Sequence, residues 1–335
     1  MRRPWALPLV PLYAAGSALR WLGVKPKRLG WPVVSVGNLS AGGTGKTPFT
    51  VELARLLTEA GIRVDVLSRG YGRSGDEILR VDPAGSAERF GDEPLLIARE
   101  AGVSVYVGAE RFRAGSLAEQ EGETSQLGVH VLDDGFQHRQ LFRDVDIVLV
   151  NSEDMEDCLL PAGNLREGLA ALRRATVLAA PAEDERVVGR LRSLGLEKPV
   201  WRFRREMVIP AVTVPSVRGP VVAFCGIARP EQFFLGLERA GVSIAGRRSF
   251  GDHHRFTVSD VAQLRDLLRK SGAGAFLTTA KDRVRLGGLE AELERAAPVL
   301  TVGLRVVLEE EAAVLGWLLE KLAAAHSNAQ SKQAL

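Results

Sequence analysis

Along the 335 residues, short runs of apolar positions alternate with stretches whose apolar residues recur at helical spacing. The Val33–Val36 run is too apolar for a surface strand, and similar runs predict strands at Val64–Ser68, Val103–Val107, Val129–Asp133, Ile147–Val150 and Val177–Ala180. Near-continuous β-branched strands separated by helices indicate a parallel sheet covered on both faces. Ligands of such sheets bind at the carboxyl ends of the strands. Around Trp201–Pro220 the pattern changes: Arg202, Arg204 and Arg205 alternate with apolar residues, and Pro210, Pro215 and Pro220 break any helix. This stretch reads as a crossover between domains. A second α/β pattern follows, with strands Val221–Cys225, near Ser243–Phe250, Ala275–Thr279 and Val299–Val307. Its helices are expected at Pro230–Ala240, Val258–Leu268 and Glu309–Leu322, before an Ala-rich, polar tail.

The first strand runs into Gly37-Asn38-Leu39-Ser40-Ala41-Gly42-Gly43-Thr44-Gly45-Lys46-Thr47-Pro48, and a helical pattern at Val51, Ala54 and Leu57 follows. Strand, Gly-rich turn and helix in this order form the context of a Walker A phosphate loop. Its glycines let backbone N–H groups of Ser40, Ala41, Gly42, Gly43, Thr44, Gly45, Lys46 and Thr47 turn toward phosphate oxygens, with the helix N-terminus behind them. Lys46 is expected to reach the β- and γ-phosphates of ATP, and the Thr47 hydroxyl to ligate Mg²⁺. Ser40 stands where the strict pattern has glycine. The expected fold class is α/β, a P-loop NTPase-type, mostly parallel sheet covered by helices, plus a second, smaller α/β domain. The divisions are residues 1–28, an N-terminal interfacial helix region; 29–208, the P-loop kinase domain; and 209–335, the C-terminal α/β domain.

Val129-His130-Val131-Leu132-Asp133-Asp134 is an apolar strand ending in two carboxylates, the form of a Walker B element that sets an Asp beside Mg²⁺. Gly135-Phe136-Gln137-His138 adds polar groups at the same end. Ser68-Arg69-Gly70-Tyr71-Gly72-Arg73 pairs free backbone with anion-binding arginines. Gly91-Asp92-Glu93-Pro94 opens a helix, where Asp92 has the commoner alternative of an N-cap. Leu160-Pro161-Ala162-Gly163-Asn164-Leu165-Arg166-Glu167 sets a guanidinium beside a carboxylate, and Gly251–Phe256 holds His253 and His254, two of five histidines. No third ligand at metal spacing accompanies that pair.

Composition narrows the picture at three points. Hydrophobic residues at 46% and charged residues at 25% describe a globular chain long enough for two cores. A net charge of +3 implies no nucleic acid, and two distant cysteines, Cys158 and Cys225, show no metal spacing. Pro4 to Leu19 is uncharged, but Pro8, Pro11 and Arg20 argue against a membrane span. The stretch is either a core helix or one lying in the headgroup region. The aromatics Trp5, Tyr13 and Trp21 and flanking basic residues favour the membrane surface.

Taken in order, Gly37–Pro48, Ser68–Arg73, Gly91–Pro94, Asp133–His138, Leu160–Glu167, Asp252–His253 and Thr278–Asp282 resemble the tetraacyldisaccharide 4'-kinases, the lipid A 4'-kinases of Gram-negative bacteria. That family's loop also lacks the leading glycine, whereas Ala280 stands where many relatives carry an acidic residue. The resemblance implies transfer of the ATP γ-phosphate to the 4'-hydroxyl of a tetraacyldisaccharide 1-phosphate lipid, forming lipid IVA, at the cytoplasmic face of the inner membrane. It implies that Asp92 is the base on the sugar hydroxyl, that His253 orients it, and that Asp133, Asp134 and Glu167 serve the metal. The rival class is a P-loop nucleotide switch, a GTPase or metallochaperone. Thr279-Ala280-Lys281-Asp282 imitates a guanine-reading loop but lies far along the chain from the phosphate loop. A third reading is a membrane scaffold with a degenerate nucleotide site.

Overall fold

The structure, a computed structural model, describes residues 3–42, 45–122, 128–209 and 219–333. Twelve strands form one sheet: β1 Val33–Asn38, β2 Arg63–Ser68, β3 Leu79–Arg80, β4 Ser104–Val107, β5 Gly128–Asp133, β6 Val145–Leu149, β7 Val177–Pro181, β8 Val200–Val208, β9 Val221–Cys225, β10 Ile244–Ser249, β11 Ala275–Thr279 and β12 Val299–Leu308. They lie in the order β10-β9-β11-β12-β8-β7-β6-β1-β5-β2-β4-β3. All neighbours are parallel except β8 with β12 and β3 with β4.

β1 is buried along its whole length, which is why its sequence shows no polar alternation. It sits between β5 and β6, so the sheet's winding reverses there and opens a crevice at its carboxyl end. The register Val36↔Asp133 sets the end of β5 beside the start of the Gly-rich loop. Here Gly37 is required by space: a Cβ on it would stand 2.5 Å from Cβ and 2.7 Å from the backbone N of Phe136. Backbone cannot yield as a flexible side chain can, so Gly37→Ala is expected to cost about 1–3 kcal/mol of stability. The denaturant midpoint of the variant measures this, and an unchanged midpoint refutes the close approach.

The expected strands and helices fall where the pattern placed them, with one reassignment. The Arg-bearing stretch read as a crossover is strand β8, pairing with β7 and, antiparallel, with β12 through Arg205↔Val306. Trp201 and Phe203 are buried while Arg202 and Arg204 are not, the period of two that a strand imposes, and beyond Phe203 both faces are exposed at Arg204, Arg205 and Glu206. Phe203 meets Phe49 of the Lys46–Glu59 helix edge to face, centroids 5.5 Å apart, locking that helix onto β8. Pro210 and Pro215 lie outside the described residues. The last helix runs Glu311–Gln333, well beyond Leu322, so the Ala-rich tail is helical through Gln333.

At the N-terminus a 3₁₀ turn, Pro4–Leu9, leads into the Val10–Leu19 helix, which buries no residue. Trp5, Leu7, Leu9, Leu12, Leu19 and Leu22 are exposed, so the core-helix alternative does not hold. The segment is moored by Arg3 N to Ala162 O at 2.6 Å and by Tyr13 Oη to Arg166 O at 3.1 Å.

Candidate active site

Two constellations meet at the carboxyl ends of the strands. In the first, Gly45 takes φ +90°, a conformation open to glycine, and turns the chain into the Lys46–Glu59 helix. Lys46 Nζ donates to Asn38 Oδ1 at 3.1 Å and lies 3.5 Å from Asp134 Oδ1. The loop's first limb is laced to the 160s segment by Ala41 N to Asn164 O, 2.8 Å, and Arg166 N to Leu39 O, 2.7 Å. Asn38 Nδ2 donates to Ser40 Oγ at 3.2 Å, a contact glycine at position 40 lacks. Gly42 is exposed and Thr47 buried, while Gly43 and Thr44 lie outside the described residues.

Asp133 and Asp134 are adjacent but differently held. Asp133 is buried and accepts from Thr50 Oγ1 at 3.1 Å and Ser68 Oγ at 3.3 Å. Burial raises its pKa, and the nearby Glu93 and Asp134 charges push it further. Asp134 has φ +48°, unusual for a residue with a side chain, and accepts from Arg166 Nη1 at 2.8 and 3.0 Å. Burial acts to raise its pKa, yet Lys46 and Arg166 outweigh it and keep the carboxylate ionised. Gln137 closes the ring, donating to Asn38 O at 2.8 Å and accepting from Arg166 at 3.3 Å. Glu167, next to Arg166, is bonded instead by Arg139 at 2.5 Å and Arg174 at 3.0 Å. Among the described residues no group of three His, Cys, Asp or Glu side chains stands ready to hold a metal ion.

The second constellation centres on Asp92. Gly91, not Asp92, is the N-cap of the Asp92–Ala101 helix. A Cβ on Gly91 would come within 3.1–3.2 Å of Gly70 backbone and Tyr71 O, so the two Gly-bearing loops touch there. Asp92 Oδ1 accepts from Glu93 N at 3.0 Å, and Oδ2 from Arg285 Nε at 2.8 Å and Nη2 at 2.6 Å. His253 Nδ1 lies 3.2 Å from the same Oδ2. Burial acts to raise the Asp92 pKa, but His253 and Arg285 overcome it and hold the carboxyl well below the usual range. Asp92 in turn raises the pKa of His253. His253 has φ +57°, the second such conformation at this end of the sheet. His254 turns away to Asp260 Oδ2 at 3.0 Å, so the two histidines do not act together.

The Thr278–Asp282 segment is committed to this constellation. Thr279 Oγ1 donates to Asp282 Oδ2 at 2.6 Å, and Lys281 Nζ to Glu93 Oε1 at 2.6 Å. The Lys and Asp that a guanine-reading loop would present are therefore already bonded within the protein.

Sequence reasoning missed Thr50, Arg285 and a basic group around Arg111. Arg111 is buried at the start of a helix, where the dipole disfavours a cation, and its Nε has no partner among the described residues. Burial and then Arg69 bring its pKa down to about 10, against the pull of Asp134 and Asp133. Burial, Arg111, Arg143 and Arg69 likewise push His138 down to about 3, keeping it neutral. Arg143 is paired with Asp146, but Arg69 and Arg111 have no ion-pair partner among the described residues, and positive charge of that kind beside the Walker B end suits an anion.

The sheet, the loop and the paired carboxylates define a protein of the P-loop kinase class. A family model for tetraacyldisaccharide-1-P 4'-kinase matches residues 3–323. The tetraacyldisaccharide 4'-kinase of Koribacter versatilis (strain Ellin345) is 42% identical over 326 residues, covering 93% of this chain and 97% of the relative. That of Dechloromonas aromatica (strain RCB) is 40% identical over 300 residues, covering 88% and 86%. The crystal structure of LpxK from Aquifex aeolicus in complex with ATP matches with a TM-score of 0.75 at 33% identity, over 95% of this chain and 98% of that one. The chain belongs to the tetraacyldisaccharide-1-P 4'-kinase family.

Proposed function

We propose that the protein is an ATP-dependent lipid kinase that phosphorylates the 4'-hydroxyl of tetraacyldisaccharide 1-phosphate, forming lipid IVA. The observation that carries this reading is the meeting of a phosphate loop with buried Asp92, paired to the exposed His253, at one end of one sheet. Phosphoryl transfer needs charge neutralisation at the γ-phosphate and a positioned acceptor, not a covalent intermediate. The loop from Ser40 through Thr47 cradles the ATP phosphates, and Lys46 meets the charge that develops on the transferred group. Asp92 accepts the sugar hydroxyl's proton as it leaves, and His253 orients Asp92. Arg69 and Arg111 suit the acceptor's own phosphate. The chain divides into a kinase lobe, 29–208, and a C-terminal lobe, 209–335, so base and orienting histidine come from different lobes.

The oxygen donors of Thr47, Asp133, Asp134 and Glu167 fit Mg²⁺, a hard cation. A dication relieves the cost of ionising buried Asp133 between Glu93 and Asp134. Glu167 joins the set only by releasing an arginine. Bound Mg²⁺ supplies charge neutralisation on the phosphates. Incubation with ATP, Mg²⁺ and a disaccharide 1-phosphate lipid is expected to yield the bisphosphorylated product. GTP-dependent hydrolysis with no lipid product favours the nucleotide switch, and no turnover at all favours the scaffold.

The lipid's four chains hold it in the bilayer at about 0.8 kcal/mol per CH₂, so the enzyme must work at the surface. No helix among the described residues is long and apolar enough to cross a membrane. The exposed face of Trp5, Leu9, Leu12 and Leu19 suits peripheral attachment at the cytoplasmic side of the inner membrane. Replacing Trp5, Leu12 and Leu19 with Ser is expected to weaken liposome binding and raise the lipid KM several-fold while ATP binding survives. Unchanged partitioning rejects the surface role.

A further inference from the structure

Asp92 is unusual for a base: Oδ2 already faces three nitrogens, two of them from one guanidinium. That guanidinium belongs to Arg285, whose side chain is 6% exposed and which also donates to Gly226 O at 2.7 Å and Asp282 Oδ1 at 3.2 Å. Asp282 is fully buried and fixed by Thr279, so the Ala280–Leu286 helix holds Arg285 from its first turn. Lys281 lies four residues earlier on the same helix face and pairs with Glu93, the neighbour of Asp92. Two consecutive carboxylates at one helix start thus meet two cations spaced i, i+4 on another. A surface ion pair has no need of this bracing.

We infer that Arg285 is the positioning residue for the base: it clamps Asp92 Oδ2 and leaves Oδ1, which among the described residues accepts only from Glu93 N, to receive the acceptor hydroxyl. The inference rests on the kinase reading for its chemistry but not for its geometry. The fork geometry matters, because Nε and Nη2 both grip Oδ2 while Glu93 N holds Oδ1, and the three bonds together fix the carboxylate plane. His253 Nδ1 stands 3.1 Å from Arg285 Nη2, so His253 with its proton on Nδ1 and Arg285 share Oδ2 from two sides. The charged groups facing Asp92 are Arg285, His253, Lys281, Glu93 and, through Arg285, Asp282; Asp252 adjoins His253. The clamp supplies much of the positive charge in that set, so removing it leaves a buried carboxyl whose ionisation is harder. The acid limb of the rate then moves up in pH, toward or above the ordinary aspartate value of about 4.

The test compares the parent with Arg285→Lys and Arg285→Gln. The rate of phosphorylation of the disaccharide 1-phosphate lipid is followed from pH 4.5 upward, and ¹³C carboxyl resonances are titrated in parallel, Asp92 being assigned with Asp92→Asn. Arg285→Gln is expected to lower kcat on the order of 10²-fold at neutral pH, with the KM for ATP within a few-fold. Its acid limb and its Asp92 titration rise together. Arg285→Lys restores the charge but not the fork, so the titration returns toward the parent's while kcat stays about tenfold low. An Asp92 titration and limb superposable on the parent's in Arg285→Gln overturn the inference, as does parent-like kcat in both variants. If Arg285→Gln does not fold, Arg285→Lys decides by its rate: a kcat about tenfold low beside a near-parent Asp92 titration supports the clamp, and a parent-like kcat overturns it. A parent inactive on the lipid rejects the kinase reading, whereas the carboxyl titration still judges the clamp.

Discussion

Lys46→Ala is expected to lower kcat by about 10³-fold or more, the loss that follows removal of a preorganised donor worth about 4 kcal/mol in the transition state. The structure sharpens why the loss falls on turnover and not on folding. Among the described residues Lys46 reaches only Asn38 and Asp134, and Asp134 keeps two bonds from Arg166 when the lysine is gone. A single lost contact to Asn38 costs about 1 kcal/mol of stability, a small part of the whole. The melting curve and the rate with ATP and lipid are the paired measurements. A folded Lys46→Ala protein turning over near the parent rate removes Lys46 from the phosphate site.

The second large effect is expected from Asp92→Asn, with kcat falling roughly 10²-fold or more, because an amide offers the sugar hydroxyl no proton affinity. A capping role would leave the change nearly harmless, since Asn caps as well as Asp. The geometry already separates these roles: Gly91 occupies the cap, and the acceptor bond from Glu93 N is one that Asn preserves. His253→Ala is expected to depress kcat too. Combined, the two changes cost far less than the product of the single losses, because each removes half of one unit. Additive losses in the double-mutant cycle dissolve the pair. Because His253 owes its raised pKa first to Asp92, Asp92→Asn also lowers the midpoint of its imidazole titration. The sign extends to stability. The protonated His253–Asp92 contact contributes fully below the unfolded histidine value of about 6.5 and is lost as pH rises through the higher folded value.

Much of this architecture was legible because burial on both faces leaves a plain trace. β1, β5, β6 and β7 are buried along their whole length and carry near-continuous apolar runs, and the Gly-rich loop follows one of them. β8 hid because one face is outward, so its arginines looked like a connection until β12 was seen pairing with it. The site divided in the same way. Asp92, Asp133 and Asp134 announce themselves at element ends, whereas Arg285 and Arg111 sit in helices as ordinary as any surface arginine. Their roles come from what the fold brings opposite them: Asp92 is 193 positions away from Arg285. The one local sign was spacing, with Arg285 at i+3 from Asp282 and i+4 from Lys281. Thr50 was overlooked because a threonine at the fifth position of a helix reads as filler, although its hydroxyl is what meets Asp133.

The antiparallel join between β8 and β12 also bears on how the chain is made. β8 ends at Val208, while its second partner begins at Val299, so during synthesis the sheet of the first half waits with an open edge. An unpaired edge strand of Trp, Phe and Val invites pairing with another nascent chain. Arg202, Arg204 and Arg205 charge that edge for as long as it stands uncovered, and like charges on a neighbouring chain repel. Replacing Arg204 and Arg205 by Thr leaves the finished sheet intact on this view, but lowers the yield of soluble protein at high expression rates. The same arginines that obscured the strand in the sequence guard it before the last third of the chain arrives.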